Sequence, residues 1–121
     1  MKVLLLVHGL PVGGTEVMVS HLARRFCTAG IRVAIGCLDE IGELGADLEA
    51  AGFPVELYSR RPGFDSSLPL KIARQVRREA VDLVHAHQGA PYFYGVLAKV
   101  FTGVPLIFTE HGRVLAHYRR S

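Results

Sequence analysis

Apolar residues in this chain recur in two alternating rhythms: short unbroken runs, and longer stretches with helical spacing. The first run, Lys2-Val3-Leu4-Leu5-Leu6-Val7, has no polar alternation and reads as a strand buried on both faces. A helix starting at about Thr15 follows, with Val17, Met18, Leu22 and Phe26 on one face and Arg24 and Arg25 off it. Gly30 closes that helix, and residues 31–38 form a second strand. Residues 42–51 are a short helix ended by Gly52. Residues 53–58 are a third strand, whose early Pro54 suits a sheet edge. A turn-rich linker over residues 60–65 leads to Ser66 or Ser67 as the N-cap of the next helix. That helix buries Leu68, Ile72, Ala73, Val76 and Ala80 and turns Lys71, Arg74, Arg77 and Arg78 outward. Residues 81–87 are a fourth strand, residues 91–101 a helix opened by Pro91 and ended by Gly103, and residues 104–109 a fifth strand.

Strand and helix therefore alternate throughout, which implies a parallel sheet with right-handed crossovers and helices on both faces. The expected architecture is α/β: a Rossmann-like sheet of about five strands in the order 3-2-1-4-5, with the order reversing between the first and fourth strands. Residues 1–121 read as a single domain, long enough for a real core but short for an enzyme that must hold two substrates. Half the residues are hydrophobic and 21% are charged, an ordinary balance for a globular domain, and no apolar run is long enough to span a membrane. Cys27 and Cys37 have no C-x-x-C spacing and read as small buried hydrophobes in a reducing cytoplasm. The formal charge of +3 permits an anionic partner without requiring one.

Candidate chemistry concentrates where the strand order reverses. Gly13-Gly14-Thr15-Glu16 lies between the first strand and a helix N-terminus, where free N–H groups and glycine backbone can approach an anion. On its own the loop fits two readings, a phosphate site or a tight turn that binds nothing. His87 to Pro91 follow the fourth strand and Glu110 to Arg113 the fifth, so the topology brings histidines, a carboxylate and the glycine pair to one sheet edge. A dinucleotide site is excluded because Gly9, Gly13 and Gly14 do not make G-x-G-x-x-G, although Asp39 and Glu40 stand where such a fold keeps its acidic residue. A phospho-acceptor receiver is excluded as well, since His8 and Gly9 end the first strand in place of an acidic pair. His85 and His87 alternate onto one face and could ligate a metal, but spacing offers no third ligand. His21 and His117 read as surface residues.

Four segments in register carry a resemblance: Gly13-Gly14-Thr15-Glu16, the strand over 81–87, the helix opened by Pro91, and Val104-Pro105-Leu106-Ile107-Phe108-Thr109-Glu110-His111-Gly112. Together they resemble the N-terminal domain of family 4 glycosyltransferases, which are retaining, nucleotide-sugar-dependent enzymes of the GT-B fold. The resemblance implies an acceptor-side domain of a hexosyltransferase-type enzyme, the N-terminal half of a GT-B fold. Gly13, Gly14, Thr15 and Glu16 would meet the donor diphosphate. His111 would be the catalytic residue beside the transferred sugar, and His87, Gln88 and Glu110 would lie on the acceptor side. It further implies no metal and no cofactor, with the nucleotide-sugar as substrate.

The C-terminal donor domain of such enzymes is absent from residues 1–121. The isolated chain is therefore expected to be inactive and to need that domain or a partner chain. The helix over 91–101 is apolar nearly all round, with Lys99 its one charge, which predicts an exposed apolar patch or a self-association that hides it. Arg60-Arg61, Arg77-Arg78 and Arg119-Arg120 read as solvated charge, with a basic face toward anionic lipid as the competing view. The expected location is the cytoplasm, with the inner face of the membrane as the alternative that the resemblance implies, since many members of that family glycosylate lipid-linked acceptors; the acceptor itself is not legible in the sequence. Nucleic acid is excluded because no aromatic-interleaved basic stripe occurs. The alternative from another class is a non-catalytic, flavodoxin-like binding or interaction module.

Overall fold

The computed structural model describes residues 1–11 and 13–109, and for Gly14 and Thr15 their backbone only. Nine elements alternate: β1 (Lys2–Val7), α1 (Gly14–Thr28), β2 (Arg32–Cys37), α2 (Gly42–Ala50), β3 (Val55–Leu57), α3 (Leu68–Arg78), β4 (Leu83–His87), α4 (Gly89–Thr102) and β5 (Leu106–Thr109). The five strands form one sheet in the order β3-β2-β1-β4-β5, and every pairing is parallel. The expected topology is therefore the observed one.

β1 is central because its side chains are apolar on both faces. Leu4 and Leu6 join Ala34, Ile72, Val76, Val84, Ala86 and Ala98 under α3 and α4. Val3, Leu5 and Val7 join Val19, Ala23, Val33, Ile35 and Leu48 under α1 and α2. The two-residue period of a strand thus assigns alternate residues of β1 to two separate cores.

Several sequence-based expectations are corrected. α1 buries Val19 and Ala23 at its centre, while Met18 is exposed; the buried stripe is rotated by about one position from the one the larger apolar side chains mark. Cys27 is exposed and Cys37 alone is buried, its thiol pushed up to about 12 chiefly by loss of hydration, with Glu40 adding to it. Ala80 is exposed and takes a positive φ as the chain leaves α3. Ser67 precedes α3 but makes no side-chain cap. Asp65 supplies the local hydrogen bonds instead: its carboxylate accepts from the Ser67 N–H at 3.0 Å, the Ser67 hydroxyl at 2.6 Å, the Arg61 N–H at 3.0 Å and the Arg61 guanidinium at 3.1 Å. α4 begins two residues before Pro91, at Gly89.

A buried polar bridge holds α3 to the sheet. Gln75, fully buried, donates from Nε2 to the Ile35 carbonyl at 3.1 Å and accepts the Tyr58 hydroxyl at its Oε1. The Tyr58 hydroxyl occupies the space above Gly36, where a Cβ would overlap it. Burial, with Glu56 nearby, raises the Tyr58 phenol well above its ordinary range, so it stays a donor.

The expected apolar patch is present. On α4, Phe93, Val96, Val100 and Phe101 are exposed; Ile107 of the edge strand β5 is exposed as well, on the sheet face away from α4, since its neighbour Leu106 packs against Gly95. Of the basic pairs, Arg61, Arg77 and Arg78 are exposed as solvated charge is, and each arginine also has a partner: Arg60 with Asp39, Arg61 with Asp65, Arg77 with the Phe101 carbonyl and Arg78 with Glu56; Arg119 and Arg120 lie outside the described residues. No helix among the described residues is long and apolar enough to cross a membrane.

Two stability outcomes follow. Gly36→Ala forces a methyl into the Tyr58–Gln75 bridge and should cost about 1–3 kcal/mol in urea unfolding; a neutral effect would remove the bridge from the list of constraints on α3. The four hydrogen bonds hold the Asp65 carboxyl well below the ordinary carboxylate value, with the Ser67 hydroxyl the largest cause and the Arg61 N–H next. A depressed folded-state value gives stability that is complete above the unfolded value of 3.8 and is lost as pH falls toward the folded one. Asp65→Asn should therefore lower Tm at neutral pH and flatten the decline of Tm with acid below about pH 4, read by circular dichroism.

Candidate functional site

The site is built where the carboxyl ends of β1 and β4 diverge. β1 and β4 are paired through Leu6 and Ala86, and beyond that pair the chain turns one way into α1 and the other into α4. The gap left by this reversal is the position at which open α/β sheets bind ligands.

The wall on the β1 side is set by backbone contact between two loops. The Leu10 N–H donates to the Ile41 carbonyl at 3.1 Å and the Leu44 N–H to the Leu10 carbonyl at 2.9 Å. Gly9 lies against the Glu40 backbone and Gly42 against that of Leu10, each so close that a Cβ would overlap the other chain. Gly42 also needs its φ of 73°, which only glycine adopts without strain. This brace fixes the path into Gly13, which is extended and caps α1 without a side-chain bond. The N–H groups of the first turn of α1 have no intrahelical acceptors and form the positive end of the helix. Glu16 lies in that turn, and its carboxylate reaches back over Gly13.

The wall on the β4 side is strained. Gln88 takes φ 73° and ψ 175°, a region used almost only by glycine and costing about 1–3 kcal/mol for other residues. Two backbone bonds hold it there: its N–H donates to the Thr109 carbonyl at 2.9 Å, and its carbonyl accepts from the Tyr92 N–H at 3.2 Å. His87 is buried, and His85 lies on the same face with the rings 4.2 Å apart. The His85 Nε2 is 2.8 Å from the Thr109 hydroxyl. Among the described residues no third His, Cys, Asp or Glu joins the two as a metal set.

Between the walls is a cavity of about 20 Å³, lined by His8, Glu16, His87 and Gln88 against Val7, Leu10 and Val19. Two larger hollows, of about 390 and 270 Å³, lie at the amino ends of the strands around Phe53 and Pro54, away from the reversal. Their charged lining is taken up by structural pairs such as Arg78 with Glu56 and Lys2 with Glu79.

The structure thus brings Glu16, His87 and Gln88 to one cavity and places the Gly13 cap beside it. Glu110 and His111 lie outside the described residues; by chain connection they follow Thr109, the last residue of β5. One cluster is not legible from spacing. Asp39, just past β2, accepts two parallel bonds from Arg60 Nε and Nη2, both 2.9 Å, and lies 3.4 Å from His8 Nδ1. The position of Asp39 is visible in the sequence as the place of a ribose-binding acid, but its partner Arg60 sits in a linker that reads as solvated charge.

Comparison with known proteins agrees with this geometry. A search of curated proteins finds no match. Among solved structures, a glycosyltransferase from Rickettsia africae ESF-5 superposes with a TM-score of 0.74 at 20% identity, over 93% of this chain and 30% of that one. MurG from Acinetobacter baumannii gives 0.69 at 17% identity, over 99% and 39%. Alr3699/HepE from Anabaena, solved in complex with UDP and glucose, gives 0.64 at 27% identity, over 88% and 28%. The chain therefore spans less than two fifths of the length of each. The sequence profile of Glycosyltransferase Family 4 matches residues 12–121. Profile, five-stranded order and the cleft at the β1–β4 reversal lead to one assignment: this chain belongs to Glycosyltransferase Family 4, as a Rossmann-like domain that fits the N-terminal half of a GT-B enzyme.

Proposed function

We propose that this chain is the acceptor-side domain of a glycosyltransferase that takes a sugar from a nucleotide-sugar donor, with retention at the anomeric carbon and without a metal or cofactor. The observation that carries the reading is the cleft at the β1–β4 reversal. A glycine-capped helix N-terminus forms one wall, and a strained Gln88 beside His87 forms the other. The backbone N–H groups of Gly13, Gly14 and Thr15 offset the charge that builds on a leaving diphosphate. Glu16, itself an anion, serves sugar hydroxyls at the rim in preference to phosphate oxygens. His87 and Gln88 line the acceptor side, and Glu110 and His111 complete the set beyond β5, with His111 hydrogen-bonding the transferred sugar. The occurrence of UDP and glucose with the Anabaena relative supports a nucleotide-sugar donor and a hexosyl group. Transfer needs a donor-binding domain that residues 1–121 do not contain, so this chain alone is inactive. The exposed apolar face of α4 is where that domain, a partner chain or a second copy makes contact.

Amide NMR of the chain, titrated with UDP, GDP and NAD, tests the reading. A nucleoside diphosphate should shift the amides of residues 13–16, and NAD should leave them unmoved. A folded spectrum indifferent to every nucleotide would instead favour the non-catalytic interaction module. Gly14→Val should weaken diphosphate binding about tenfold or more, because its branched side chain keeps the phosphate from the N–H groups and so forfeits a charge-assisted hydrogen bond of about 1.5–3 kcal/mol. Gln88→Gly separates stability from function. Relief of backbone strain should leave the domain as stable or raise it by about 1 kcal/mol, while transfer by the complete enzyme falls. Sedimentation velocity should show concentration-dependent association that Val100→Lys suppresses; a strict monomer with no dye-binding surface would count against the role of α4.

A further inference from the structure

We infer that the cavity between β1 and β4 seats one hydroxyl of the acceptor, that His8 is the group that accepts its hydrogen bond, and that Asp39, clamped by Arg60, is the positioning residue for His8. The inference rests on the glycosyltransferase reading and deepens it at the acceptor side. Size is the first argument. A cavity needs roughly 10–15 Å³ to hold a water-sized group, and this one offers about 20 Å³. It has room for a hydroxyl group. Its lining is the second: His8, Glu16, His87 and Gln88 supply polar groups, and Val7, Leu10 and Val19 close the apolar side.

The third argument is the geometry behind His8. The Arg60 fork makes two parallel bonds of 2.9 Å to the two Asp39 oxygens, which fixes the plane of the carboxylate. The same guanidinium lies 6.0 Å over the Tyr94 ring, so it is held from a second direction. Asp39 Oδ2 then faces His8 Nδ1 at 3.4 Å. A carboxylate can only accept, so Nδ1 of the neutral ring carries the proton and Nε2 is left as the acceptor. A ring in that tautomer takes a bond from an acceptor O–H; the opposite tautomer would turn an N–H toward it. Arg60, Asp39 and His8 are all partly exposed, where ion pairs contribute little stability. Orientation is therefore what this arrangement provides.

The test is a long-range ¹H–¹⁵N spectrum of the chain's histidine rings at about pH 8, with His8→Gln to identify the His8 signals. Wild type should carry the His8 proton on Nδ1. Asp39→Asn, and to a lesser degree Arg60→Gln, should move it toward Nε2 with the amide dispersion unchanged. D-glucose, as a hydroxyl probe, should then shift His8 Nε2 saturably in wild type and bind about tenfold more weakly to Asp39→Asn. An identical tautomer in wild type and Asp39→Asn would overturn the positioning role. A tautomer that switches while glucose leaves Nε2 unmoved would overturn the hydroxyl seat. UDP added to the same samples reports on residues 13–16 independently, so the broader reading and this one can fail separately.

Discussion

Everything in this domain depends on the burial of β1 from both sides. Leu4, Leu5 and Leu6 are all fully buried, so the strand cannot lie at an edge and needs parallel neighbours and helices above and below. β2 fills one side and β4 the other, and the chain must leave β1 and β4 in opposite directions. The reversal that opens the cleft is thus a by-product of covering five apolar residues, and the site occupies a gap the packing leaves open in any case. What is added is detail at its rim: glycines where two loops touch, a helix start without a side-chain cap, and a residue held at positive φ.

Those details differ in energetic character. The Gly9 and Gly42 contacts are backbone against backbone, with nothing to yield if a side chain were added. The Gly36 site is a lock of another kind, in which a tyrosine hydroxyl and a glutamine amide replace the methyl group a packed sheet would hold there. A fully buried glutamine is tolerated because both ends of its amide are engaged. Gln88 is the opposite case. Its backbone is held under strain by bonds to Thr109 and to Tyr92 of α4, and it borders the cavity.

The sheet order and all nine elements were legible because unbroken apolar runs and glycine stops repeat on a short period. The helical faces were less so. In α1 the larger side chain of Met18 suggests burial, yet the close approach of helix to sheet selects Val19 and Ala23. Gln75 and Asp65 look like surface residues by type, and only a partner distant in sequence, or a loop folded onto itself, makes them buried. The glycine loop with His87 and Gln88 could be read as a site because topology alone delivers them to one edge. The linkage of His8, Asp39 and Arg60 could not, since it depends on the path of the β3–α3 linker. Glu110 and His111 lie outside the described residues, and their part is carried by the resemblance alone.

Tyr94 gives the linker a mechanical role. Its hydroxyl accepts the Asp65 N–H at 3.0 Å, and its ring stacks on Phe64 and lies under Arg60. Tyr94 belongs to α4, which starts immediately after Gln88, so linker and helix are joined at the point where α4 borders the cleft. A tilt of α4 would pull on Arg60, and through Arg60 on Asp39 and the His8 ring at the opposite wall. The two sides of the cleft are in this sense one lever, with Tyr94 as its pin. A load applied to the outer, apolar face of α4 would be transmitted to the His8 ring without passing through the sheet.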